Sequence, residues 1–356
     1  MSGRACLPHG IRTFLSGVTM KPLPLIRMAV FSSVTLLLAA CGDNNGNDDD
    51  DPGDGVPPIP NSAFALSSKS DVQREIGNFI DVYSIFFGED LDATSMTAAA
   101  AKSARVDMSH VVPKAAVTTE CELDGTLTED SGTKPRTFTY FEASPSVEFA
   151  TSVYNGCQED DGDEDGTYTE ANGFQESGGG AGVSTFYSYN VLGQGETAYT
   201  ELERSPDDKD EYEFESILAL FETATTASTV ETRHVFTLAF EERDEEEADG
   251  HTAGQVTQGT TDVPFVTIVS ASGVSVEGPY GYATTECAGG RGSIDTNTPV
   301  VFDEDGLPIG GAVTVTSGTA SATVTFVGDG SATYQLGNGA TGTLTRAELE
   351  AAVDGC

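Results

Sequence analysis

The chain has 356 residues, enough for one large or two modest domains. Its 57 acidic residues outnumber 17 basic ones, for a formal charge of −40; such a surface repels nucleic acid and excludes it as a partner. Hydrophobic residues make up 38%, with 40 Gly, 18 Phe, 11 Tyr and no Trp, a mixture that suits strands and turns better than helix bundles.

Residues 1–40 read as a signal segment. Lys21 and Arg27 form a basic start, and an apolar run follows from Met28 to Ala40. That run is shorter than the roughly 20 residues a membrane-spanning helix needs. Pro8, His9 and Gly10 lie ahead of an otherwise complete signal, so translation is expected to start at Met20, leaving Cys6 without structural meaning. The run ends in Leu38-Ala39-Ala40-Cys41. This end resembles the lipobox of bacterial lipoproteins: a branched apolar residue, two small residues and a cysteine. The resemblance implies that the Cys41 thiol receives a diacylglycerol, that the leader is cut before it, and that the new amino terminus is acylated. Each buried CH₂ contributes about 0.8 kcal/mol, so several acyl chains anchor a protein almost irreversibly. Gly42 follows the cysteine, and the first acid is Asp43. The resemblance therefore implies the cell envelope, with the outer membrane favoured over the inner. Four bases (Arg4, Arg12, Lys21, Arg27) and no acid precede Cys41, so cleavage leaves 13 bases against 57 acids. Self-repulsion at that density is relieved by salt or divalent cations.

Residues 41–62, rich in Asp, Gly and Pro, read as a disordered acidic tether. Residues 63–114 hold a helix and a small-residue connector. Val72, Ile76, Phe79, Ile80, Tyr83, Phe86 and Phe87 recur at steps of three and four, an apolar stripe that predicts an amphipathic helix. Ser70 and Gln73 have capping-box spacing and Gly88 stands at the stop. Acids take the place of the basic face that membrane-surface helices use, so the stripe is expected to pack on a sheet.

From Ala116 the chain reads as strands. "RTFTYFEA", "SVEFATSVY", "STFYSYNVL", "ETAYTELER", "EYEFESILALFE" and "STVETRHVFTLAFEE" alternate apolar with other residues between Gly, Asp and Asn clusters. "ASATVTFVGDGSATYQLG" reads as a hairpin, and "TRAELEAAVDG" as a final helix with a Thr345–Glu348 capping pair. Short connections imply antiparallel pairing. The expected fold is mostly β: large antiparallel sheet or sheets of meander and hairpin strands, one amphipathic helix packed on the sheet, and a short C-terminal helix. Two β-modules are expected, 115–270 and 271–356, packed together. A transmembrane barrel fits poorly, because charges fall on both strand faces in places.

Thr-Thr-Glu-Cys occurs twice, ending at Cys121 and at Cys287, and Gly-Cys ends the stretches that close at Cys157 and Cys356. Beyond an export signal an even set of cysteines implies disulfides. The doubled setting points to Cys121–Cys157 and Cys287–Cys356, each a staple across its own module. No close Cys-x-x-Cys pair suggests metal ligation.

Asp161-x-Asp163-x-Asp165-Gly166 matches the first half of a calcium loop. The twelfth place is Asn172, not Glu, so Asp161, Asp163 and Asp165 are at best a weak calcium site on an exposed loop; no other cofactor is implied. Signatures of catalysis are missing: there is no nucleophile elbow, zinc helix, phosphate loop or dinucleotide fingerprint. His234 falls on an apolar strand face and reads as a core histidine. The whole chain resembles the uncharacterised β-rich lipoproteins of Gram-negative bacteria, specifically in its lipobox and only generically in its Cys-bounded strands. That class implies no activity. The expectation is a membrane-anchored, non-enzymatic scaffold or interaction protein. The alternative is a carrier of apolar or lipid ligands in a cavity between curved sheet and helix, and a hydrolase without a recognisable motif is the third reading. A deep apolar cavity under the helix would favour the carrier; a filled core would favour the interaction protein.

Overall fold

A computed structural model describes residue 53 and residues 55–87, 114–160, 167–204, 212–243, 251–285, 287, 289–303 and 306–353. The side chains of 81–87 and of 114 are outside that description, as are Cys41, Cys356 and the three candidate calcium ligands. The described residues form one antiparallel sheet of sixteen strands. In order they are β1 (Lys114–Glu120), β2 (Asp124–Pro135), β3 (Ser146–Asp160), β4 (Tyr168–Ala181), β5 (Phe186–Leu192), β6 (Tyr199–Arg204), β7 (Tyr212–Thr225), β8 (Thr229–Arg243), β9 (His251–Gln258), β10 (Phe265–Ser270), β11 (Gly273–Thr284), β12 (Gly290–Phe302), β13 (Pro308–Ser317), β14 (Ala320–Phe326), β15 (Ala332–Leu336) and β16 (Thr341–Leu344).

The topology is a meander. β5 and β6 are two segments of one row, lying end to end between β4 and β7. β9 and β10 likewise share the row between β8 and β11. Position 270/271, the expected module boundary, falls in the β10–β11 turn, and pairing continues through it on both sides.

The two faces of the sheet differ. Strand side chains alternate between faces, and in β13 and β14 that alternation is clean. Val313, Val315, Ala322, Val324 and Phe326 are buried on the inner face, while Thr314 and Thr323 meet hydroxyl to hydroxyl on the outer one. The inner residues join Phe265, Val300, Phe302, Leu344 and Leu349 in one core cluster.

Helix α1 (Lys69–Phe87) and helix α2 (Arg346–Val353) contribute to that cluster. Val72, Ile76, Phe79 and Ile80 of α1 are buried in it, and the Phe79 and Phe302 rings lie 6.3 Å apart. The cap of α1 is Ser68 with Asp71, not Ser70 with Gln73. The Asp71 carboxylate accepts the amides of Ser67 and Ser68, and the Asp71 amide donates to Ser68 Oγ. An aspartate three residues past a serine caps as a glutamate would and favours the positive helix end. Gln73 instead reaches α2, donating to the Glu348 carbonyl at 2.8 Å. The Thr345–Glu348 cap of α2 forms as read from the sequence.

The chain does not run free to residue 62. Gly53 and residues 55–66 form a strap. It starts on the outer face, where Glu241 accepts the Gly53 amide at 2.7 Å. Ile59 lies against Gly281, and its amide reaches Gln255. Ala63 then pairs with Arg291 at the free start of β12, and Phe64 enters the inner face near Tyr280 and Tyr282. A Cβ at Gly290 or Gly292 would strike Phe64, so those glycines make room for the crossing. Asp and Gly composition suggested disorder, but the strap's few apolar side chains and amides find partners on the sheet.

Two strand expectations also change. "RTFTYFEA" is not a strand but a flap, residues 136–145, between β2 and β3. Its apolar alternation serves one buried plug, Phe138, fully enclosed with Val147 and Tyr189. The stretch between "SVEFATSVY" and "STFYSYNVL", expected to separate strands, holds β4 with its three consecutive glycines. A Cβ at Gly178 would meet the Tyr189 ring, and one at Gly180 would meet the Ser146 carbonyl. Close neighbours, not flexibility, explain those glycines.

Candidate functional site on the outer face

Register assigns Lys134, Thr151, Phe174, Glu176, Tyr189, Val191, Leu218, Leu220, Glu222 and Arg233 to the outer face of β2–β8. The flap folds back over part of this area. Glu222, almost completely buried, accepts the amides of Thr139 at 2.9 Å and Tyr140 at 2.8 Å. Arg233 donates to the Tyr140 carbonyl at 2.8 Å. Burial raises the Glu222 pKa, and the two amides offset part of that rise.

Beside the flap lies a groove of about 490 Å³. Its apolar wall is Phe174, Val191, Leu218 and Leu220; Gly193 to Gly195 form the far rim. Gly193 and Gly195 have φ of +77° and +64°, the left-handed region that suits glycine, and they turn the chain between β5 and β6. At the flap end is a tight ionic knot. Glu176 accepts from Lys134 Nζ at 2.6 Å, Arg136 Nη1 at 3.4 Å, Thr151 Oγ1 at 3.1 Å and Tyr189 Oη at 2.9 Å. Burial alone would raise the Glu176 pKa; the Lys134 bond and charge, with the bonds from Tyr189 and Thr151, outweigh it and hold the carboxylate below its usual range. Arg136 lies 3.6 Å above the Tyr189 ring, and Lys134 4.2 Å above that of Phe149, a cation–π arrangement.

Comparison with family models, curated proteins and solved structures found no match to this chain. The site is therefore read from its own geometry.

The sequence-predicted site residues are elsewhere. Cys121 and Cys157 form a disulfide with Cα atoms 5.4 Å apart, tying the β1–β2 turn to β3. Cys287 is also disulfide-bonded; Cys356 lies outside the described residues. Cys121 follows β1 and Cys287 follows β11, each at the step into the next antiparallel strand. The Cys121 amide donates to the Gly125 carbonyl, and the Cys287 amide to Thr284 Oγ1. Asp161, Asp163 and Asp165 fall in the β3–β4 connection, outside the description. Among the described residues no group of three or more His, Cys, Asp or Glu is arranged to hold a metal.

His234 is enclosed on the inner face, stacked on Phe265 at 5.1 Å and bonded to Gln258 at 3.1 Å. Burial pushes its pKa down to about 3, so it stays neutral. His251 bonds Glu241, the residue that holds the strap. Glu75 of α1 is buried against the hydroxyls of Tyr280 and Tyr282 at 2.9 and 2.7 Å. Another inner-face region carries like charges. Glu203 pairs with Glu213 and Glu213 with Glu242, while Glu201 pairs with Glu215. Burial and neighbouring carboxylates push Glu213 up to about 8 and Glu215 up to about 7.

Sequence reasoning passed over Lys134, Arg136 and Glu176. One signal was available: in a chain with so few bases, two stand one residue apart beside an aromatic run.

Proposed function

We propose that the protein is a lipid-anchored interaction protein of the cell envelope, attached through Cys41, with the outer face of β2–β8 as its working surface. The contrast between the two faces carries this reading. On the inner face α1 acts as a cover packed on the sheet, and side chains from both helices and β10–β16 occupy the space between. That filling weighs against a carrier with its cavity under the helix. On the outer face a half-exposed apolar wall stands beside the ionic knot, and exposed apolar area of this kind favours a binding role. A hydrolytic role draws no support from His234 and His251, which serve the core and the strap. No described helix is long and apolar enough to cross a membrane; the anchor is the acyl group implied by Leu38-Ala39-Ala40-Cys41.

The test is incorporation of labelled palmitate in cells, followed by membrane fractionation. Wild type should take up label and sediment with the outer membrane. Cys41→Ser should lose both properties. An unlabelled wild type, or a Cys41→Ser protein labelled to the same extent, refutes the anchor.

A further inference from the structure

The groove beside the flap has features that select a ligand, and the choice rests on reading the outer face as the working surface. Lys134 and Arg136 oppose one carboxylate, Glu176. Arg136 also faces the buried Glu222, but the groove lining itself holds two bases and one acid in a chain whose formal charge is −40, so an anion meets less repulsion there than over an acidic stretch. The carboxylate already receives four donors. The cations keep spare capacity: an ammonium has three N–H groups and a guanidinium five. Each side chain spends one hydrogen bond on Glu176, and the buried Arg136 Nε has no partner among the described residues.

The rest of the groove is apolar. Its wall runs from Phe174 on β4 through Val191 on β5 to Leu218 and Leu220 on β7. Strands lie about 4.8 Å apart, so this crossing is roughly 10 Å long. The groove is open to solvent along one side, and its volume of about 490 Å³ leaves room for one small molecule. A cation finds the wrong charge at the flap end, and a fully polar anion leaves the apolar wall wet. The length leaves little room for a long or double chain.

We infer that the groove binds a single-chain, medium-length fatty acid anion. The carboxylate lies on Lys134 and Arg136, and the tail lies along Phe174, Val191, Leu218 and Leu220. Charge-assisted bonds fix the head, and removal of apolar surface from water holds the tail.

Decanoate, kept below its aggregation concentration, is titrated into the full chain and followed by calorimetry and by amide NMR shifts. Saturable binding is expected, with shifts centred on β4, β5 and β7. Decanol and butyrate should each bind at least about tenfold more weakly, and decyltrimethylammonium should not bind there. Lys134→Gln, at a partly exposed position, should weaken decanoate about tenfold and leave decanol unchanged. Leu218→Asn should weaken both ten-carbon ligands. The inference is overturned by decanol binding as tightly as decanoate, by shifts centred elsewhere, or by absence of saturation. Palmitate labelling of Cys41 reports separately: normal labelling without decanoate binding removes only the ligand, and decanoate binding without labelling removes only the anchor.

Discussion

Replacing Glu213 with Gln should stabilise the protein at alkaline pH and leave it unchanged in acid. Glu213 faces Glu203 on one neighbouring strand and Glu242 on the other. Burial and these carboxylates, with Glu215, push its pKa up to about 8, against an ordinary value of 4.5. The unfolded chain releases this proton near pH 4.5, while the folded chain holds it until about pH 8. Folding therefore loses stability progressively across that window, and the penalty is complete only above it. At about 1.4 kcal/mol per pH unit the full gap corresponds to roughly 5 kcal/mol. Partial exposure and counter-ion screening reduce this to about 1–2 kcal/mol in moderate salt. Denaturant unfolding at pH 4 and pH 8.5 is the assay. Glu213→Gln should gain about 1–2 kcal/mol at pH 8.5 and close to nothing at pH 4, and high salt should shrink the gain. An equal gain at both pH values, or a loss at pH 8.5, would show that the residue's packing rather than its charge governs its contribution.

Removing Cys121 and Cys157 together as serines should cost about 2–4 kcal/mol by freeing the unfolded chain, read by denaturant midpoint. In that variant Cys287 should remain bridged, and non-reducing peptide mapping should join it to Cys356; in the wild-type protein a peptide joining Cys121 to either would contradict the pairing. Glu222→Ala should speed hydrogen exchange of the Thr139 and Tyr140 amides by at least about tenfold, since each loses its only acceptor among the described residues; unchanged protection would mean the flap is held by Phe138 alone. Calcium titration should give at most weak binding attributable to Asp161, Asp163 and Asp165, and a submicromolar site abolished by changing them to Asn would overturn that view.

Periodicity made α1, α2 and strands such as β3, β5, β7, β8 and β14 legible, because their burial is one-sided and their side chains report it. Ala322 to Phe326 is an example: every second residue is apolar and faces the core. The flap deceived for the same reason. In "RTFTYFEA" alternation came from Phe138 plugging one pocket and Arg136 stacking on Tyr189, and no strand ladder forms. β4 was hidden because Gly178–Gly180 are chosen by neighbours on other strands, which local composition does not encode. The groove was out of reach for a related reason. Its cations come from β2 and the flap, its carboxylate from β4 and its apolar wall from β4, β5 and β7, and only register brings them together.

The strap and α1 have a bearing on how the chain is made. Almost every strand pairs with one that immediately precedes it, so the sheet can grow as the polypeptide emerges. The N-terminal elements cannot follow that order. Glu75 needs Tyr280 and Tyr282, Gln73 needs the Glu348 carbonyl, and Lys69 needs the Glu348 side chain at 2.7 Å. The partners that seat α1 are thus synthesised more than 200 residues after it. Until those partners emerge the apolar stripe of α1 has nowhere to dock, so the nascent protein carries a sticky segment. Such a molecule benefits from a holding chaperone until α2 arrives, and loss of α2 should trap it in a state with a finished sheet and an undocked α1.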